Sequence, residues 1–178
     1  RSSVQNGILN TELGIPFRTP AEGHNVAFTS LWDNYPDSLE IPLKGKASRA
    51  YLLMAGSTNH MQCHIDNGVI RIYYKDGTRD VMFLRNPDNW PPIEHIFFED
   101  GLAFNRHTPA LYRLRLKTGE ISNNFGEELG FPGASRELDG GAAVLLEMPL
   151  NPGKKLSHLV LETLSNDVVI GLMSITLQ

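Results

Sequence analysis

Apolar and polar residues alternate with a period of two along most of this chain, the repeat that sends successive side chains to opposite faces of a strand. In "GVIRIYYKDGTRDVMFL", Gly68 to Leu84, Ile70, Ile72 and Tyr74 share one face, and Arg71 and Lys75 share the other. Asp76-Gly77 reads as a two-residue type I′ turn, because both its central positions need positive φ, which Asp tolerates and Gly adopts freely. This hairpin puts Val81 and Phe83 in the core with Tyr74. It leaves Val69, Tyr73, Met82 and Leu84 on the opposite face, under a second sheet or a partner domain. "YRLRLK" alternates Tyr112, Leu114 and Leu116 with Arg113, Arg115 and Lys117, a strand with one wet face. "LSHLVLETL" and "DVVIGLMSITLQ" read as a second hairpin turning at Ser165-Asn166-Asp167.

The earlier runs "NVAFTSLWD", "SLEIPL" and "RAYLLMAGS" are rich in β-branched, aromatic or aliphatic residues and are bounded by Pro, Gly or Asp. About nine or ten short strands result, with no amphipathic helix, which indicates an all-β sandwich or barrel. Ser135 to Gly141 has room for one helical turn, which Gly140-Gly141 ends before "AAVLLEM" resumes as a buried strand. Residues 1–20 read as an extended N-terminal segment of a single domain spanning residues 1–178. The long loops Asp33–Ser38, Arg85–Pro92, Asp100–Pro109 and Asn123–Gly133 are where function is expected on such a scaffold.

Composition narrows this further. A chain of 178 residues forms one domain that buries about 70% of its unfolded surface, enough for a core without disulfide staples. Its net charge of −4 disfavours nucleic acid as a partner, because a phosphate-binding surface needs clustered Lys and Arg. No apolar run approaches the roughly 18 residues of a membrane span. The first twenty residues lack the blocks of a signal peptide, but with Arg1 at the start they do not decide localisation. Cys63 is the single cysteine, so an internal disulfide and a thiolate zinc site are both excluded.

The succession "GIPFRTP", "NVAFTSLWDNYPDSLEIPL", "KASRAYLLMAGST", "IRIYYKDGTRDVMFLRNPDNW" and "LSHLVLETLSNDVVIGLMSITLQ" resembles the galactose-binding-like jelly-roll domains attached to bacterial glycosidases. More closely, it looks like the C-terminal sandwich domain of large glycosidase-like proteins exported by gut bacteria. The resemblance covers nearly the whole chain and rests on the "YLLMAG" strand, the tyrosine strand with "KDGT", and the Asn-Trp loop. It implies a two-sheet antiparallel jelly-roll β-sandwich, a secreted or periplasmic location and a carbohydrate-processing context, within which non-catalytic carbohydrate binding is the expected role. The alternatives are a structural sandwich packed on a neighbouring domain of its parent chain or, less favoured, a small glycoside hydrolase. Fold alone does not choose among them.

Sugar recognition pairs an exposed aromatic ring with nearby hydrogen-bonding groups, and "RNPDNWPPIEH" supplies Trp90 with Asn86, Asp88, Asn89 and His95. The competing reading folds Trp90 inward over the open end of the sandwich, its indole N–H bonded to a loop carbonyl. "SLWDNYPDS" is the second candidate, with Tyr35 exposed and Trp32 in the core. Its Asp33, Asn34 and Asp37 are hard oxygen ligands, and the resemblance implies a structural calcium ion there.

Of the six histidines, His60 and His64 are four apart, but "NHMQCHIDNG" has no helical pattern and no glutamate after its first histidine. On a strand they would lie about 13 Å apart, too far to share one ion. His24, His95, His107 and His158 are isolated in sequence. For a hydrolase, Glu137 and Asp139 fit the first two positions of the E-x-D-x-E strand of laminarinase-type jelly rolls, but Gly141 occupies the third. Glu127 and Glu128 complete no motif, and serine-hydrolase, P-loop and dinucleotide fingerprints are absent.

Overall fold

A computed structural model describes residues 4–20, 22–96, 104–130 and 137–178. Thirteen strands and one short helix follow one another along these residues. They are β1 (Val4–Gln5), β2 (Ile8–Asn10), β3 (Pro16–Arg18), β4 (Ala27–Ser30), β5 (Ser38–Pro42), β6 (Arg49–Thr58), β7 (Gly68–Tyr74), β8 (Arg79–Leu84), β9 (Arg113–Arg115), β10 (Ile121–Ser122), α1 (Phe125–Glu128), β11 (Ala142–Pro149), β12 (Leu156–Thr163) and β13 (Val168–Leu177). A six-stranded sheet in the order β10-β9-β11-β6-β13-β4 packs as a sandwich on a four-stranded sheet in the order β5-β12-β7-β8. The strand pairings in both are antiparallel. The all-β expectation holds. The helical turn expected from Ser135 begins outside the described residues.

The "YLLMAG" and "AAVLLEM" runs are nearly continuous in apolar residues because β6 and β11 are buried on both faces. Leu52, Met54, Val144 and Leu146 point between the two sheets, where they meet Ile70, Ile72, Leu159, Leu161 and Ile170. Leu53, Ala55, Ala143 and Leu145 point the other way, onto Leu9 and Phe17. Those two residues belong to a third sheet, β1-β2-β3. The N-terminal segment is therefore a small meander that covers the outer face of the six-stranded sheet, rather than an extended tail on a two-sheet fold.

Two sequence expectations about connections are corrected. In the β7–β8 hairpin Tyr74 N–H donates to the Thr78 carbonyl at 2.9 Å and Gly77 N–H to the Tyr74 carbonyl at 3.1 Å, while Gly77 takes φ +83°. The loop is therefore the three residues Lys75, Asp76 and Gly77, a type I turn closed by a left-handed glycine. The extra residue moves the register by one and turns β8 over. Ile72 faces Asp80 and Ile70 faces Met82, while Val81 and Phe83 are exposed. Val69 and Leu84, expected on the far face, are fully buried, Leu84 within the inter-sheet core. Asp80 is accommodated by the Tyr74 hydroxyl, which donates to its carboxylate; burial and that bond raise the Tyr74 pKa. Thr78 and Lys154 bond the Asp76 carboxylate and hold its pKa down at about 2.

Ser165-Asn166-Asp167 likewise does not turn the expected hairpin. β12 belongs to the four-stranded sheet and β13 to the six-stranded sheet, so this link crosses from one layer to the other.

Candidate functional site

Strand register gathers four connections at one end of the sandwich. Val168 pairs with Thr58 and Val169 with Ser30 in the six-stranded sheet, while Gly68 pairs with both Leu84 and Thr163 in the other. The β4–β5 turn, the β6–β7 loop, the start of the long β8–β9 connection and the β12–β13 link therefore neighbour one another. Cross-links tie them together: Asn59 N–H donates to the Asp167 carbonyl at 3.2 Å, and the Ser165 hydroxyl donates to the Asp66 carbonyl at 2.8 Å.

Trp90 is fully buried. Its indole lies over Gly56, where an added Cβ would come within 2.7 Å of the ring, so the glycine makes the space that the ring fills. The indole nitrogen has no hydrogen-bond partner among the described residues, in contrast to the expected loop carbonyl. Its neighbours are equally committed. Asn89 accepts from Arg85 N–H at 2.7 Å and donates to the Phe83 carbonyl at 2.8 Å. Asn86 is fully buried, its backbone N–H bonded to Asn67 Oδ1 at 2.9 Å and its amide reaching the His60 carbonyl at 3.4 Å. Trp90, Asn89 and Asn86 thus form the floor of the loop rather than a ligand platform.

The second tryptophan does the opposite. Trp32, expected in the core, is 51% exposed. The Ser30 hydroxyl donates to the Val168 carbonyl at 2.8 Å and accepts from Trp32 N–H at 3.3 Å. Tyr35 N–H then closes a turn onto the Trp32 carbonyl at 3.0 Å. The chain leaves the sheet before Trp32 is reached. Phe28, Trp32 and Tyr35 stand together on the outside, with ring centroids 6.4 Å apart for Phe28 and Tyr35 and 6.5 Å for Trp32 and Tyr35. Asp33, Asn34 and Asp37 are exposed on the same turn. Neither aspartate belongs to a convergent group of His, Cys, Asp and Glu ligand atoms among the described residues.

Asp88 and His95, the remaining expected ligand residues, each join a histidine cluster that sequence spacing concealed. His95 sits with His60 and Glu94, and Asp88 with His64 and His107. His60 and His64 belong to different clusters. The segment carrying Glu94 and His95 is anchored by Arg113, read from sequence as a wet-face residue but 5% exposed. Its guanidinium donates to the carbonyls of Pro92 at 2.9 Å, Ala142 at 2.7 Å and His95 at 2.5 Å. Burial lowers its pKa to about 10, with Glu94 opposing the shift, so it stays a cation at neutral pH. Arg113 also borders a cleft of about 410 Å³ lined by Phe104, Arg106, Asn123, Asn124 and Phe125.

The acidic residues weighed for hydrolysis are dispersed. Asp139 pairs with Lys117 at 2.5 Å, which lowers its pKa, while Glu128 accepts from the Ser122 hydroxyl and Glu127 from the Asn124 amide. Glu137 bridges to His95 through the backbone. Comparison with protein families, with curated proteins and with solved structures found no match to this chain.

Proposed function

We propose that this β-sandwich is a non-catalytic carbohydrate-binding domain of an exported glycan-processing protein, and that it binds through the β4–β5 turn. The observation that carries this reading is the exposed group of Phe28, Trp32 and Tyr35 beside Asp33 and Asn34. Aromatic rings held at a surface offer an apolar face for the C–H side of a pyranose and keep their polar edges in water. The neighbouring carboxylate and amide supply acceptors and donors for hydroxyls. The platform is firm because its backbone is fixed to the sandwich through Ser30.

Isothermal titration against plant, host and microbial oligosaccharides, with and without calcium, tests the reading. Heat with at least one glycan that disappears in Trp32→Ala and in Tyr35→Ala, with both variants still folded, is the expected result. Heat that survives both substitutions rejects this site.

A second reading rests on the exposed Val81 and Phe83, two apolar side chains that the hairpin register turns outward on an edge strand. They suit a structural sandwich packed against a neighbouring domain. Silence with every glycan, together with self-association by sedimentation that Phe83→Asp abolishes, favours that role.

A further inference from the structure

We propose that His64, Asp88 and His107 form a binding site for one divalent transition-metal ion of the zinc class. They come from the β6–β7 loop and from two places in the β8–β9 connection, yet their ligand atoms lie within 4.8 Å of one another. His64 Nδ1 is 3.8 Å from one oxygen of Asp88, and His107 Nδ1 is 3.7 Å from the other. Those separations are too long for hydrogen bonds. They are close to the spacing of ligands around a shared ion, because metal–ligand bonds of about 2.0–2.1 Å at tetrahedral angles put donor atoms roughly 3.3 Å apart. The two imidazole rings also lie beside each other, with centroids 4.6 Å apart.

The neighbouring cluster shows what a self-contained pair looks like. His60 Nε2 and His95 Nδ1 are 2.6 Å apart and bond each other directly, leaving no gap for an ion between them. Asp88, in contrast, is oriented and still available. Its Oδ1 accepts from the His107 backbone N–H at 2.7 Å, the kind of outer bond that fixes a ligating carboxylate. The nearby Arg85 guanidinium is bonded to Asp66 at 2.5 Å.

Two imidazoles and one carboxylate suit a first-row ion such as Zn²⁺ better than calcium, which prefers oxygen ligands alone. Three protein ligands leave a fourth position for water or for an oxygen of a bound molecule. The His107 side chain is 62% exposed, so the ion has a path from solvent. Occupancy would tie the β6–β7 loop to both parts of the β8–β9 connection, independently of whether a glycan binds elsewhere.

Zn²⁺ titration calorimetry on the untagged 178-residue chain, with metal counted after dialysis, is the test. One retained equivalent is expected, with affinity falling at least about tenfold in His64→Ala and in His107→Ala and unchanged in His60→Ala. Excess Ca²⁺ should not compete, and Zn²⁺ should raise the Tm of the wild type but not of His107→Ala. Because His107 is exposed, its replacement should leave the metal-free Tm where it was, which separates lost binding from lost folding. No retained Zn²⁺, equal retention by His107→Ala, or loss confined to His60→Ala would each overturn the assignment.

Discussion

The two tryptophans lie in loops at the same end of one sandwich and meet opposite fates. Trp90 follows strand β8 into a loop whose backbone folds back on itself, with both Asn89 N–H and Trp90 N–H donating to the Arg85 carbonyl at 3.0 and 3.1 Å. That closure aims the ring at the bare backbone of Gly56. Trp32 follows β4 into a turn pinned by Ser30, has no glycine against its ring among the described residues, and stays in solvent with Tyr35 and Phe28. A tryptophan is buried where the backbone opposite leaves it room, and the hydrophobicity of the residue itself does not decide the outcome. One loop is thereby part of the core and the other is surface available for recognition.

The sharpest way to break this comparison is Trp90→Ala. Removing a fully buried aromatic side chain costs about 3–5 kcal/mol, since the surroundings collapse only in part. Urea denaturation should show that loss with little change in slope. A cost near zero would mean that Trp90 does not fill the space over Gly56. Arg113→Met probes the same loop from below and should cost about 1–3 kcal/mol, because the carbonyls of Pro92, His95 and Ala142 lose their donor while the aliphatic stem is retained. Amide hydrogen exchange should then rise around residues 92–95 before it rises in β6 or β7.

Fold class was legible in the sequence because period-two alternation and doubly apolar strands report directly on which faces are buried. The hairpin register was not. "KDG" serves a two-residue turn and a three-residue turn equally well in sequence, and that single residue decides whether Val81 and Phe83 or Met82 and Leu84 face inward. The β12–β13 link failed for a related reason. Both flanking strands are apolar, and short-range pattern does not say which sheet the second one joins. At the site, the aromatic and polar loop residues were found but their directions were not, since Trp90 depends on Gly56, far away in sequence, and Trp32 on the adjacent Ser30, whose hydroxyl is held by the distant Val168 carbonyl. His64, Asp88 and His107 share no local motif, and Arg113 sits in an alternating run that promises solvent. Only the register of the loops brings the first three together and turns the fourth inward.

The smallest effect on stability is expected at the other tryptophan, and it tests the comparison from its open side. Trp32→Ala removes a half-exposed ring from a turn whose hydrogen bonds among the described residues come from backbone and Ser30, so the change in unfolding free energy should stay within about 0.5 kcal/mol. Fluorescence gives the companion readout, because the chain has two tryptophans and they differ in access. In the wild type, acrylamide should quench one component readily and the other poorly. In Trp32→Ala the accessible component should vanish, leaving a blue-shifted emission from Trp90 that resists quenching. If Trp32→Ala instead destabilised the chain as much as Trp90→Ala, or left a readily quenched emission, then Trp32 would be packed and Trp90 open. The recognition surface would then have to be sought on the Trp90 loop.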